Sequence, residues 1–356
     1  LCIMGIAKEL FGILPEGRKV YIFTLKNHNG MTVKVSSFGA ALVALIVPDK
    51  YGEFEDIVLG YDNLQGYLEG KFFFGATIGR NANRIRNSRI KINNKVYILN
   101  KNEGENQLHG GVKGFDKMLW LPKTYMDNEK NQCIEFSYLS RDGEEGYPGN
   151  LNVKVVYTIF DNNTLKIDYS AISDKDTLVN MTNHTYFNLS GYASDSILKH
   201  KVMINSDKFT ANDKNSIPTG EIRSVKGTPM DFTALTSIDK NMDSSYDQII
   251  FGNGYDHNWI LNKSKNKIEK AAEVFDSYSG RFMELYTTEP GMQFYTGNYI
   301  NEFHNCKNNA SYGKNSGLCL ETQYFPDGLN HENFPSPILK SGKRYKQTTI
   351  YKFSIR

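Results

Sequence analysis

Long hydrophobic runs are missing from this 356-residue chain: no stretch approaches the roughly 20 apolar residues that a bilayer-spanning helix needs. Cysteine is scarce too. Cys2, Cys133, Cys306 and Cys319 stand far apart without CxxC spacing, which points away from zinc ribbons and disulfide frameworks and toward free thiols in a reducing compartment. Charge of one sign is not in excess: the formal balance is +3 and no block of Lys or Arg occurs, so no nucleic-acid partner is expected. No GxGxxG or GxxxxGK[ST] loop is present to cradle a nucleotide, and no GxSxG elbow to carry a serine nucleophile. No HxH or HxxxH pair offers two metal ligands from one element, so neither a metal nor a cofactor is expected. The first residues, Leu1 to Ile6, are apolar but lack a basic region before them and a small-residue cleavage site after them. Met4 is a candidate natural start, residues 1–10 read as a flexible or non-native extension, and the expected localisation is cytoplasmic, without a membrane partner.

What the chain has in quantity is aromatic: 22 Tyr and 21 Phe, residues that favour strands and suit sugar-stacking surfaces. Short runs of strand character recur from end to end. They include Lys19 to Leu25, Met31 to Val47 interrupted at Gly39, Asp56 to Leu59, Gln132 to Leu139, Asn152 to Phe160 and Leu165 to Ser173. Lys201 to Ile204, Arg281 to Thr287, Gln293 to Thr296 and Thr348 to Arg356 follow, most of them separated by turn residues. Helical candidates are limited to Leu64–Leu68 and Ala234–Asp239. Strand upon strand without intervening helices predicts an all-β antiparallel sandwich or barrel, and without a linker or repeat it predicts one domain over residues 1–356.

One stretch organises the rest. In Gly317-Leu318-Cys319-Leu320-Glu321-Thr322-Gln323, alternation sends Leu318 and Leu320 to one side and Cys319 and Glu321 to the other. A strand carboxylate among apolar neighbours is costly to desolvate without partners, and a salt-bridged rim residue is its ordinary explanation. Earlier polar clusters give it another. Gly79-Arg80-Asn81-Ala82-Asn83-Arg84 puts two guanidinium forks beside two amides, a set that grips a polyol as readily as it caps a turn. His109 is followed by two glycines that let backbone approach closely, as a ligand wall would use. Thr182 to Leu189 alternates amide, hydroxyl, imidazole and phenol along a predicted strand, giving His184 several groups to orient it for proton transfer. Asp256 and Gln293 sit in two further polar and aromatic stretches.

Together these clusters resemble the aldose 1-epimerases. The resemblance rests on Gly79–Ile85, Leu108-His109-Gly110-Gly111 with Gly114–Lys117, Asp142–Gly149, Thr182–Leu189, Tyr255-Asp256-His257, Pro290–Asn298 and Leu320–Gln323, in order along nearly the whole chain. It implies a large antiparallel β-supersandwich of the galactose mutarotase type with few short helices. It also implies interconversion of the α and β anomers of free hexoses such as galactose and glucose, with no cofactor. Glu321 would be the general base at O1 and His184 the general acid at O5. Asn83, Arg84, His109, Tyr186, Asp256 and Gln293 would bind the sugar, and the enzyme would be a monomer or weak homodimer.

On this scheme His184 has to be cationic, its pKa raised by Glu321 or Asp256, while Arg84, His184 or backbone amides keep Glu321 ionised. The rate should then fall in acid as Glu321 protonates and in alkali as His184 loses its proton. Glu289 stands where relatives often carry Gln, and a solvent-facing position is expected for it. Three rival functions are a silent sugar-binding module, a glycosidase pairing Glu321 with Asp256, and an epimerase of phosphorylated hexoses, which would need a cationic pocket.

Overall fold

The structure, a computed structural model, describes residues 5–356, so Cys2 and Met4 lie outside the described residues. Three antiparallel sheets carry the fold. An N-terminal meander runs through Ala7–Ile13, Lys19–Lys26, Thr32–Ser36, Ala41–Pro48 and Phe54–Asp56 in sequence order. A nine-stranded sheet has the segments Leu121–Met126, Gln132–Ser140, Leu151–Phe160 and Thr164–Ser173 on one side of Arg344–Ile355. Arg281–Thr287, Glu269–Phe275, Lys201–Ile204 and Thr236–Ser237 continue on the other side. A second five-stranded sheet is ordered Pro218–Ser224, Lys208–Asn212, Asp256–Ile260, Gly291–Tyr295, Cys319–Gln323.

All three sheets feed one core: Val33 and Leu45, Val155 and Ile167, and Trp259, Met292 and Leu320 belong to the same buried cluster. Alternation along each strand makes this possible, since every second side chain enters the core while its neighbours face outward or toward a site. In Cys319–Gln323 the expected division holds, with Leu318 and Leu320 in the main core and Cys319 in a second cluster on the opposite side. The expected all-β supersandwich is what the chain forms.

Differences of detail have physical causes. Ala7–Ile13 is a strand paired to Lys19–Lys26, so residues 7–10 are sheet rather than a loose extension. Leu64–Glu69 is helical as expected, with the Asn63 side chain accepting the Gly66 amide as N-cap. Ala234–Asp239 is not a helix. It opens as a two-residue strand and ends in the 3-10 turn Ile238–Asn241, while a second helix, Asp247–Gly252, lies just beyond. The polar run after Thr182–Asn183 leaves the ladder, and Phe187 alone bridges Val58 and Leu318. Similarly, the strand expected at Asp56–Leu59 ends at Asp56. Cys133, Cys306 and Cys319 are free and buried. No helix among the described residues is long and apolar enough to cross a membrane.

Glu289 does not face solvent. Its side chain is buried, Oε1 accepts from the Tyr345 hydroxyl at 3.4 Å, and Oε2 has no hydrogen-bond partner. Burial pushes the carboxyl up to about 8, against the smaller opposing effects of Tyr345 and Lys263. The unfolded carboxyl titrates near 4.5, so between that value and about 8 the unfolded chain releases a proton that the folded chain keeps. Stability therefore falls as pH rises through this window. Glu289→Gln should remove the slope and be more stable than the parent at pH 8 by on the order of 1–3 kcal/mol, with little difference at pH 4.5. Urea unfolding at the two pH values checks this, and parallel behaviour of parent and variant would refute it.

Candidate active site

The second five-stranded sheet carries a polar row across three strands. Register places Asn258 opposite Gln293 and Gln293 opposite Glu321, with Asp256 two residues before Asn258 on the same face. The Gln293 amide donates to Asp256 Oδ1 at 2.8 Å. Gln293 Oε1 and Glu321 Oε1 are buried without a hydrogen-bond partner. Two strand carboxylates and an amide thus converge beneath a pocket that has few groups of its own to satisfy them.

His184 is brought over this row by the segment that leaves the ladder. Its amide donates to Ala76 O at 2.9 Å and its carbonyl accepts from the Gly75 amide at 3.2 Å, which docks it against the Phe72–Phe74 run. The ring is clamped between Phe73 and Tyr186, stacked at 5.6 and 5.0 Å centroid distance and 18° to each. His109 meets it edge-on at 5.0 Å. Held this way, His184 Nε2 lies 3.4 Å from Glu321 Oε1, with both side chains 5% or less exposed.

The other walls come from loops in left-handed backbone. Phe73, Asn83 and His109 all have positive φ, between 50° and 69°, which is rare for a bulky residue such as Phe73 and is a form of local strain that gathers at sites. The Asn83 amide donates to His109 Nδ1 at 3.0 Å, so neutral His109 carries its hydrogen on Nε2 and offers a donor. Arg84 makes two bonds to Glu103 through Nε and Nη2, at 2.6 and 3.0 Å. The pocket is small, about 120 Å³, and is lined by Asn83, Arg84, His109, His184, Tyr186, Asp256, Gln293 and Glu321. All eight site residues expected from the sequence therefore meet in one place. Lys71 and Leu108 also line the pocket, as do the aromatic residues Phe72, Phe73, Tyr295 and Tyr299. Aromatic content alone did not single them out, although Phe72-Phe73-Phe74 is visible as a run. Larger surface hollows of about 650 and 760 Å³ occur elsewhere, but no imidazole lines either of them.

Several sequence expectations take a different place. Arg80 does not share the polyol grip with Arg84. It is buried and spends its donors on Ser140, Thr177 and the carbonyls of Ser140, Arg141, Pro148 and Gly149, so the Asp142–Gly149 motif serves as its receptor. Gly110 approaches backbone rather than ligand: its φ is +89° and a Cβ there would fall 1.9 Å from Gly79 O.

The electrostatics also reverse an expectation. Burial pulls His184 down to about 4 instead of raising it. Burial also pushes Glu321 well above the ordinary carboxylate value, with Asp256 adding to the rise and Arg84 opposing it. Asp256 is raised by burial too, held back by Arg84 and Gln293. His109 is held well below its usual value by burial, then by His184 and Arg84. Low dielectric around the imidazole and the carboxyl disfavours charge on either, so the lone proton between them rests on Glu321 in the empty pocket.

Three ligand-type atoms, from His109, His184 and Glu321, lie within 4.8 Å of one another, a convergence that spacing in the sequence did not reveal. The donor set does not fit a metal: His109 Nδ1 is occupied by the Asn83 amide, and its Nε2 is then a protonated donor rather than a lone pair.

These features define a class of site: a small polar pocket in which a buried imidazole and a carboxyl face each other among hydrogen-bonding side chains and aromatic rings. The family model described as aldose 1-epimerase matches residues 21–352. The galactose mutarotase of Bos taurus is 44% identical over 353 residues, covering 99% of each chain, and the aldose 1-epimerase of Escherichia coli (strain K12) is 36% identical, covering 97% of this chain and 98% of its own. Among solved structures, a galactose 1-epimerase from Lactobacillus acidophilus superposes with TM-score 0.87 at 28% identity over 98% of both chains. An aldose epimerase homologue from C. elegans gives 0.85 at 30%, over 93% of this chain and 98% of its own. The chain belongs to the aldose 1-epimerase family.

If the imidazoles and the carboxyl form no metal site, dialysis against EDTA should leave the melting temperature and the turnover of an aldose anomer unchanged. A loss that one equivalent of zinc restored, and that His109→Ala abolished, would establish a metal centre.

Proposed function

We propose that the enzyme interconverts the α and β anomers of a free aldose such as galactose or glucose, with Glu321 as general base at O1 and His184 as general acid at O5. The observation that supports this most directly is the buried Nε2–Oε1 approach of 3.4 Å at the floor of a monosaccharide-sized pocket. Opening the ring requires the O1 proton to leave while O5 gains one. Glu321 takes the first and His184 supplies the second, giving the open aldehyde, the protonated carboxyl and the neutral imidazole. After rotation about C1–C2 the O5 hydroxyl returns its proton to His184, Glu321 returns its own to O1, and the ring closes on the other face. The proton count of the pair is the same before and after each step.

The remaining groups orient the sugar. Arg84, Asn83 and the His109 Nε2–H donate to hydroxyls, Asp256 and Gln293 Oε1 accept from them, and Tyr186 packs beside the ring. Glu103 keeps the Arg84 guanidinium aimed. A two-carboxylate hydrolase fits less well, because Asp256 is engaged by Gln293 and the ionic neighbour of Glu321 is an imidazole. The three free buried thiols suit a cytoplasmic protein, which we take to be a monomer or weak homodimer.

Polarimetry of freshly dissolved α-D-galactose and α-D-glucose is the test. Glu321→Gln and His184→Gln should each keep galactose binding while losing about 10²–10⁴-fold in rate. Near-parent turnover by either variant would remove that residue from proton transfer.

The pH profile follows from the inverted order of proton affinities. Activity needs one shared proton, so the acid limb marks entry of a second proton, governed by an imidazole lowered to about 4. The alkaline limb marks loss of the last proton, governed by a carboxyl raised well above 4.5. Both limbs belong to the pair rather than to one residue. The rate should therefore fall on the acid side near pH 4, and its alkaline decline should lie well above the ordinary carboxylate range; an acid-side decline centred near pH 6.5 would contradict the inversion.

A further inference from the structure

The Cys319 sulfur lies 3.5 Å from Nδ1, the other ring nitrogen of His184. Cys319 sits two residues before Glu321 on the same face of one strand, so a single element presents sulfur to Nδ1 and carboxyl to Nε2. Tyr186 stacks on the imidazole from beside the same strand. All of these side chains are buried.

Proton bookkeeping decides what the sulfur does. In the acid form His184 carries hydrogen on both nitrogens, and after Nε2 gives up its proton the neutral ring carries hydrogen on Nδ1. In both working forms Nδ1–H therefore needs an acceptor. The opposite arrangement, with the thiol donating to Nδ1, leaves Nε2 protonated in the neutral ring and removes the lone pair that must take the proton back from O5. We propose that Cys319 is a positioning residue whose sulfur accepts the Nδ1–H of His184, selecting the tautomer in which Nε2 exchanges the proton. This rests on the reading of His184 and Glu321 as the acid–base pair.

The choice of sulfur has a consequence. A carboxylate or carbonyl acceptor at this position would make the ring more basic, whereas a thiol is a weak acceptor that orients without strengthening. Burial, with Glu321 and Asp256 nearby, holds the Cys319 thiol well above its usual value, so it stays neutral and does not form a thiolate that would stabilise the imidazolium. His184 is thereby left acidic enough to give its proton to a sugar ring oxygen.

Nitrogen-15 NMR of histidine-labelled protein reads the tautomer, and polarimetry reads the rate. In the parent at pH 7 the His184 signals should show hydrogen on Nδ1. Cys319→Ala should shift them toward the Nε2–H form and lower kcat for galactose roughly 3–10-fold, the worth of one neutral hydrogen bond, with KM changing less than about twofold. Cys319→Ser, which restores an acceptor, should recover the Nδ1–H signals and most of kcat. A parent spectrum with hydrogen on Nε2 overturns the proposal whether or not the variants fold. So does a Cys319→Ala spectrum unchanged from the parent, even if the rate falls. A tautomer shift without any change in rate supports the sulfur's role and instead removes His184 from proton transfer.

Discussion

The constraint on which the rest of this structure depends is the meeting of an imidazole and a carboxyl that are both buried. His184 and Glu321 face each other at 3.4 Å with both side chains buried. Neither tolerates an isolated charge there, so they must share one proton and keep their sum neutral. The surrounding elements read as means to that end. Two aromatic rings clamp the imidazole, the strand pairing of Gly291–Tyr295 with Cys319–Gln323 fixes the carboxyl, and the Arg84 guanidinium moderates both carboxylates.

Why the pocket is left with unsatisfied acceptors follows from the same constraint. Gln293 Oε1 accepts no hydrogen bond and Glu321 Oε1 has only the 3.4 Å approach of His184 Nε2, which costs stability in a core built from Trp259, Met292 and Leu320 on the other face of the sheet. Filling those positions with protein donors would fix Glu321 as an anion and remove the reason for a sugar hydroxyl to bind. The donors that do line the pocket, Arg84 and His109, are instead held by groups on their far sides, Glu103 and the Asn83 amide. Each presents a pre-aimed hydrogen to the ligand without consuming it locally. Positive φ at Phe73, Asn83 and His109 is the backbone form of the same expense.

Much of this was legible in the sequence because strand alternation is a strong local signal. Leu318, Cys319, Leu320 and Glu321 could be sorted to two faces from their order alone, and the clusters around Asn83, His109, His184, Asp256 and Gln293 were visible as dense groups of polar residues. What stayed hidden depended on long-range packing. Arg80 and Arg84 look equivalent four residues apart, yet only the fold brings carbonyls from residues 140–149 to one of them. Glu289 reads as a solvent-facing residue until Tyr345 from the C-terminal strand closes over it. Cys319 is one apolar letter in a strand until His184 arrives from 135 residues away. The proton affinities of the pair were read in the wrong order for a related reason: neighbours can be guessed from sequence, but the depth of burial, which outweighs them here, cannot.

That inversion explains how so simple a site can run the reaction in both directions. In water a carboxyl and an imidazole differ by about two units of proton affinity, so a proton placed between them stays on nitrogen. Burial lowers the imidazole and raises the carboxyl, moving the two toward each other and past the crossing point in the empty pocket. A sugar hydroxyl at Oε1 and the Arg84 guanidinium favour the anionic carboxylate again, which returns the proton toward His184. On the proposed reading, bound substrate would bring the two forms of the pair closer in energy and lower the climb for proton transfer in both the opening and the closing direction. Strong acid or strong base chemistry would speed one half of the cycle and stall the other. On the same reading, an anomer exchange, whose two halves are chemically alike, is served by a pair in which low dielectric disfavours a lasting charge on either member.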